Sequence, residues 1–386
     1  MNPNPFLGVC FHWLGGLASG SFYVPFRFVK RWSWETFWLV GGILSWIVAP
    51  MVGALCNTRD LLAVLEQTPG KILFWTYFFG VMWGFGGLTF GLTMRYLGMS
   101  LGMAVALGYC AVFGTLIPPI FHGVFASEVL GRTSGQIILA GVGVCVLGIV
   151  IAGFAGKTKE SEMSREQKLE TVREFNFRKG ILVATFSGIM SACFSFGLDA
   201  GTPIKTLTMA HGTPAIWQGL PVLIVILLGG FTTNFVWCAL LNWRNSTGYQ
   251  YFSRAPRRES PPSIQVAAGE GAPAANGAGP DGMADPTPVP LGRNYFFSAL
   301  AGVVWYFQFF FYSMGESQMG AYKFSSWTLH MASIIIFSSM WGIALREWKG
   351  ASGKARGFLF VGLAMLIFST IIVGYGNYVG AKAVPG

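Results

Sequence analysis

A small set of side chains could do chemistry inside an otherwise apolar chain. Gln308 lies in the middle of a long apolar run, and Trp305, Gln308 and Tyr312 fall at i, i+3 and i+7, the spacing of one helical face. An amide at mid-span needs hydrogen-bond partners in lipid. Flat rings beside it supply apolar faces, so the set suits a small ligand with both apolar and polar surface. Tyr306, Trp83 and Trp13 add further rings in apolar segments. For each Trp and Tyr the competing role is packing or a place in an interfacial belt. A second set is ionisable: His12 beside Trp13, His330 after Trp327-Thr-Leu, and Asp199 and Glu316 at segment ends. Ionisable groups are expensive in a membrane and are functional candidates by default, and histidine titrates near physiological pH. These four are the candidates for carrying a proton. The competing roles are a neutral packing histidine and a boundary carboxylate in water. His122 and His211 fall at segment ends or in loops, where solvation is expected. Glu35 begins a helix, where a carboxylate favours the N-terminus.

The elements that must position these groups follow from composition. Of 386 residues, 53% are hydrophobic and only 11% charged, with mean hydropathy +0.54. Soluble domains carry about 25% charged residues. The chain is therefore read as a polytopic membrane protein in a lipid bilayer, which excludes soluble enzymes, nucleic-acid binders and secreted disulfide scaffolds. Ten stretches reach the length of a span: 6–26, 34–55, 72–94, 99–121, 136–155, 180–199, 215–241, 295–315, 325–345 and 357–378. All are expected to be helices. The net charge of +10 sits between them. Twenty Lys and Arg fall in odd-numbered loops against six in even-numbered loops and the C-terminal tail, which places odd loops in the cytoplasm and both termini in the periplasm. Met1 to Pro5 has no basic region, so the first apolar stretch reads as a span and not a cleaved signal. The six cysteines stand at no metal or disulfide spacing and read as packing residues. Gly156-Lys157-Thr158 looks like the end of a phosphate loop, but the glycine required five residues earlier is Ile151. No metal, cofactor or enzyme signature remains, so any transport should run on an ion gradient.

Two loops interrupt the pattern. Residues 156–179 are dense in mixed charge and read as a cytoplasmic linker or short helix. Residues 245–294 are rich in Pro, Gly and Ala and read as a disordered cytoplasmic insert. The halves on either side of the linker echo each other. Gly16-Leu-Ala-Ser19-Gly-Ser-Phe22 matches Gly188-Ile-Met-Ser191-Ala-Cys-Phe194, and Gly80-Val-Met-Trp83 matches Gly302-Val-Val-Trp305. This gives a five-helix repeat over 1–155 and a second over 180–386. Five is odd, so the halves must cross the membrane in opposite senses, the inverted architecture of many secondary transporters.

Longer motifs carry a resemblance. The first two segments contain Phe22-Tyr-Val-Pro-Phe26, Val29-Lys-Arg-Trp-Ser-Trp-Glu-Thr36 and Val40-Gly-Gly-Ile-Leu-Ser-Trp46. The next two give Trp83-Gly-Phe-Gly86 and Gly91-Leu-Thr-Met-Arg-Tyr-Leu-Gly-Met-Ser100. Later come Trp305-Tyr-Phe-Gln-Phe-Phe-Phe-Tyr312, Ser326-Trp-Thr-Leu-His-Met331 and Arg346-Glu-Trp348. The chain resembles the L-rhamnose–proton symporter family of the drug/metabolite transporter superfamily, over nearly its whole length except 156–170 and 245–290. The resemblance implies an all-α, ten-helix carrier of the bacterial inner membrane that imports a 6-deoxysugar, L-rhamnose first, together with protons by alternating access. It departs from the family pattern at Gly87 and Thr89, where the family has asparagines, at Asp199, where it has an amide, and at Glu316, where it has a histidine. Exact sugar and coupling ion stay open. The alternatives are a carrier of another small polar metabolite on the same fold, or a membrane sensor that binds sugar without moving it.

Overall fold

A computed structural model describes residues 3–97, 99–162, 176–254 and 288–382, and every regular element among them is helical. In chain order these are α1 (Pro5–Ser21), α2 (Tyr23–Phe26), α3 (Trp34–Ile43), α4 (Ala49–Asn57), α5 (Leu61–Gln67), α6 (Gly70–Leu97), α7 (Met99–Phe121), α8 (Thr133–Glu162), α9 (Phe177–Ala200), α10 (Thr202–Ala210), α11 (Leu220–Arg244), α12 (Leu291–Ser317), α13 (Ser326–Ala344) and α14 (Gly353–Lys382). Local chemistry sets the ends. The Asn4 side chain accepts from the Leu7 N–H at 3.2 Å and is followed by Pro5. Asn176 accepts from the Lys179 N–H at 3.1 Å. Both are N-caps that satisfy an orphan donor. Between α3 and α4 lies one π-helical turn, Leu44–Val48. Pro50, just beyond it, has no N–H to return to the preceding turn.

Nine helical stretches among the described residues, from Trp34–Asn57 to Gly353–Lys382, are long and apolar enough to cross a membrane. The seventeen residues of α1 make it about 26 Å long, shorter than the others. Large apolar side chains such as Phe121, Leu182, Phe360 and Ile371 face outward and exposed, as a lipid-facing surface requires.

Packing falls into two sets. α1 lies against α12 and α13; α9 lies against α6 and α7; α3 and α4 bridge to α11; α8 packs along α14. Exchanging α1 with α9, α12 with α6, α13 with α7 and α3 with α11 maps these contacts onto one another. The echoed glycines sit at equivalent crossings. A side chain at Gly16 would collide with Ser333 of α13, and one at Gly188 with Ala106 and Tyr109 of α7. One at Gly80 would strike the Ile226 carbonyl of α11, and one at Gly302 the Gly41 carbonyl of α3. Small residues let these backbones approach.

Several sequence expectations need correction. The linker expected over 156–179 is narrower, because α8 continues to Glu162 and α9 begins at Phe177; residues 163–175 lie outside the described residues. The insert expected over 245–294 is also narrower. Residues 245–254 include a 3₁₀ turn, Gly248–Tyr251, and α12 starts at Leu291. The turn is held because the buried Gln250 accepts from the Ser33 N–H at 2.7 Å and the Thr36 hydroxyl at 3.0 Å. Residues 255–287 lie outside the described residues. Glu35 makes no cap; it is buried and accepts from Thr247 Oγ1 at 2.7 Å and Asn245 Nδ2 at 3.1 Å.

Candidate functional site

A cavity of about 130 Å³ opens between the two packing sets. At about 10–15 Å³ per water-sized sphere it takes on the order of ten, comparable with the heavy-atom count of a monosaccharide. Its walls are rings. Trp83 and Trp305, the echoed tryptophans, face each other with centroids 5.8 Å apart and planes 33° from parallel. Phe22 meets Trp305 edge-on at 6.5 Å, and its echo Phe194 meets Trp83 edge-on at 4.9 Å. Trp38 and Trp46 close the side formed by α3 and the π turn.

Few polar groups reach this cavity. Gln308 is buried, and its Nε2 has no hydrogen-bond partner. Asn234 on α11 is held in place: its Oδ1 accepts from Trp38 Nε1 at 3.2 Å and its Nδ2 donates to the Gly230 carbonyl at 2.9 Å. Ser191 and Gly87 complete the α9 and α6 walls, and a Cβ at Gly87 would meet nothing within 4 Å. His330 also lines the cavity, fully buried, with neither ring nitrogen hydrogen-bonded.

Below His330 the core is dense. Phe194 and Phe309 stack at 4.0 Å, and Trp327 stacks on Phe194 at 5.9 Å. Trp327 Nε1 donates to the Cys110 carbonyl at 3.0 Å. Tyr312 packs edge-on between His330 and His12, each ring 5.2 Å away. His12 is fully buried and its nitrogens are likewise without partners. Burial without a partner is costly for an imidazole in either protonation state. Two such rings beside one tyrosine make a buried ionisable group next to a ligand-sized space.

The structure thus brings Gln308, Trp305, Trp83 and His330 to one cavity, with Tyr312 and His12 directly behind it. It separates the rest. Tyr306 is turned about the α12 axis away from Gln308, and its hydroxyl lies against Gly53 of α4. Trp13 packs edge-on against Phe337 at 5.9 Å. Neither Tyr306 nor Trp13 lines the cavity. Asp199 is part-exposed and pairs with His122, Oδ2 to Nε2, at 2.7 Å. Glu316 forms a 2.6 Å ion pair with Lys205. The cavity residues that sequence reasoning passed over include Trp38, Trp46, Asn234, Ser191 and Trp327. Asn234 is a mid-span amide of the kind that singled out Gln308. Trp38 and Trp46 are eight apart, a helical-face spacing.

The family model described as L-rhamnose-proton symport protein matches residues 1–249 and 284–379. The L-rhamnose-proton symporters of Yersinia pestis (strain Pestoides F) and Yersinia pseudotuberculosis serotype O:1b (strain IP 31758) are each 34% identical over 379 residues, covering 97% of this chain and 99% of the relative. That of Cronobacter sakazakii (strain ATCC BAA-894) is 34% identical over 373 residues, covering 96% and 97%.

Proposed function

The chain belongs to the L-rhamnose-proton symport protein family, and from that membership we propose that it imports a 6-deoxysugar, L-rhamnose first, with protons across the bacterial inner membrane. The observation that carries the reading is the ring-walled cavity with the unpartnered Gln308 amide. Trp83 and Trp305 take the C–H faces of the sugar, Gln308 donates to a ring hydroxyl, and Asn234 adds a second fixed amide. The deoxy methyl group lies against the rings. No bond is made or broken; the sugar and the proton change sides.

His330 takes the proton, because it borders the sugar space while Asp199 and Glu316 already have charged or ionisable partners. His12 and Tyr312 lie behind it and tune it. Trp13 and Tyr306 serve in packing. The carrier has ten spans, α1 with the short α2 being the first, since about 17 residues already suffice to span. The matching contacts of α1 with α12 and α13 and of α9 with α6 and α7 support two inverted five-helix halves and alternating access between them. Both termini face the periplasm.

The bare α6 wall at Gly87 favours a second reading, in which the preferred substrate is another small polar metabolite with a bulkier substituent at that point. The deciding experiment adds L-rhamnose, then related sugars, to de-energised, lightly buffered cells expressing the chain. External alkalinisation with L-rhamnose supports the first reading, and alkalinisation with another sugar alone moves the specificity. Sugar binding without proton movement or uptake would leave a sensor.

A further inference from the structure

The cavity runs from one end of the molecule to a floor just past mid-helix. Trp34, Leu88, Phe90, Ala106 and Asn234 line it on the side of the loops at 27–33 and 244–247, and Ser191, Phe309 and Trp327 line it on the other side of mid-helix. Toward the opposite end, α9 closes on α12 through the Phe194–Phe309 stack, and Thr115 of α7 bonds Thr328 of α13 at 2.7 Å. Beyond both sits the Lys205–Glu316 pair. Glu316 is eight residues past Gln308 on α12, about 12 Å farther along the axis. Lys205 is on α10, joined to α9 through Gly201. Nζ and Oε2 are 2.6 Å apart, with the side chains 4% and 13% exposed. Both side chains are far less exposed than those of the Arg132–Glu128 and His122–Asp199 pairs.

This placement assigns the pair a task. α9 packs with α6 and α7, whereas α12 packs with α1 and α13. Lys205 itself stands on α10, which packs on α5, α9 and α11; the pair ties that group to α12, and the two must separate at this end for the cavity to open there. We propose that Lys205 and Glu316 are positioning residues of the transport cycle: they latch the two helix sets together at the end away from the cavity and are parted each time that end opens. An apolar contact in their place would hold as well but would be harder to release into water; two charges regain full hydration once separated. The inference rests on the transport reading for its meaning, but its test does not use sugar.

The test places a reporter behind the latch. Ser313 is buried one turn before Glu316, against Gly219. Ser313→Cys, in a full-length chain whose six native cysteines are replaced, is labelled with a membrane-impermeant maleimide in right-side-out and inside-out vesicles. Lys205→Met and Glu316→Gln should each speed labelling about ten-fold or more, because loss of one member of a buried pair shifts a two-state equilibrium by at least that factor. Lys205→Arg and the exchanged pair Lys205→Glu/Glu316→Lys should restore slow labelling. Where sugar uptake is measurable, the single variants should lower both KM and maximal rate. Unchanged labelling in the single variants, with or without a lower melting temperature, overturns the latch, as does an exchanged pair that labels as fast as the single variants. If the single variants do not reach the membrane, the exchanged pair decides alone. Fast labelling in the single variants with no sugar uptake by the parent chain would count against the sugar reading and leave the latch standing.

Discussion

Gln308→Leu separates a ligand-binding amide from a packing amide. Gln308 Nε2 is buried with no hydrogen-bond partner from the protein, and a buried unsatisfied donor costs about 1–3 kcal/mol. Leucine is close in volume and has no donor to strand, so the variant should melt at the same temperature or higher. With sugar bound, the amide's two N–H groups should each gain a neutral hydrogen bond, worth about 0.5–1.5 kcal/mol. Losing both weakens binding by roughly 1–3 kcal/mol, about 5- to 150-fold in Kd. The assay is quenching of tryptophan fluorescence by L-rhamnose in purified protein, since Trp83 and Trp305 border the ligand space, paired with thermal melting. Weaker binding with an unchanged or raised melting temperature is the expected pair of results. Unchanged affinity would remove Gln308 from the site, and a clear fall in melting temperature would mean that the amide is already satisfied without sugar.

Gly80→Ala should destabilise by about 1–3 kcal/mol through overpacking, because its Cβ would strike the Ile226 carbonyl; Gly143→Ala, with nothing within 4 Å, should melt like the parent. Gly87→Leu should fold normally and lose sugar binding, since a Cβ there meets nothing within 4 Å on the cavity wall; retained binding would put the sugar elsewhere. His330→Gln keeps size and polarity but cannot titrate, so sugar counterflow should survive while external alkalinisation on sugar addition disappears. Alkalinisation at the parent rate would move the proton to another group.

Helix positions were legible because an apolar run of span length has one structural outcome in lipid. Met99–Phe121 falls on the expected residues, and most other ends within a few. Gly16, Gly188, Gly80 and Gly302, echoed in the sequence, each stand at a close helix crossing that admits little else. Loop ends were misjudged for a physical reason. Gln250, Thr247 and Asn245 look like linker composition, yet they fold back onto Ser33, Thr36 and Glu35 in contacts more than two hundred residues apart. Within the site, helical spacing found Trp305 and Gln308 but could not say that Tyr306, one position on, faces α4. Nor could it say that Asp199 and Glu316 would meet partners distant in sequence.

The lining of the cavity has a consequence for energetics. None of its described side chains is a carboxylate, an ammonium or a guanidinium. A neutral sugar brings no charge, so while His330 stays neutral its equilibrium affinity should ignore both ionic strength and membrane potential. Work from the potential can enter only through the proton, at about 2.3 kcal/mol per charge for each 100 mV. Accumulation should then steepen with voltage while binding stays flat. On this view the aromatic cavity sets which molecule is carried, and the buried imidazole alone couples it to the electric field.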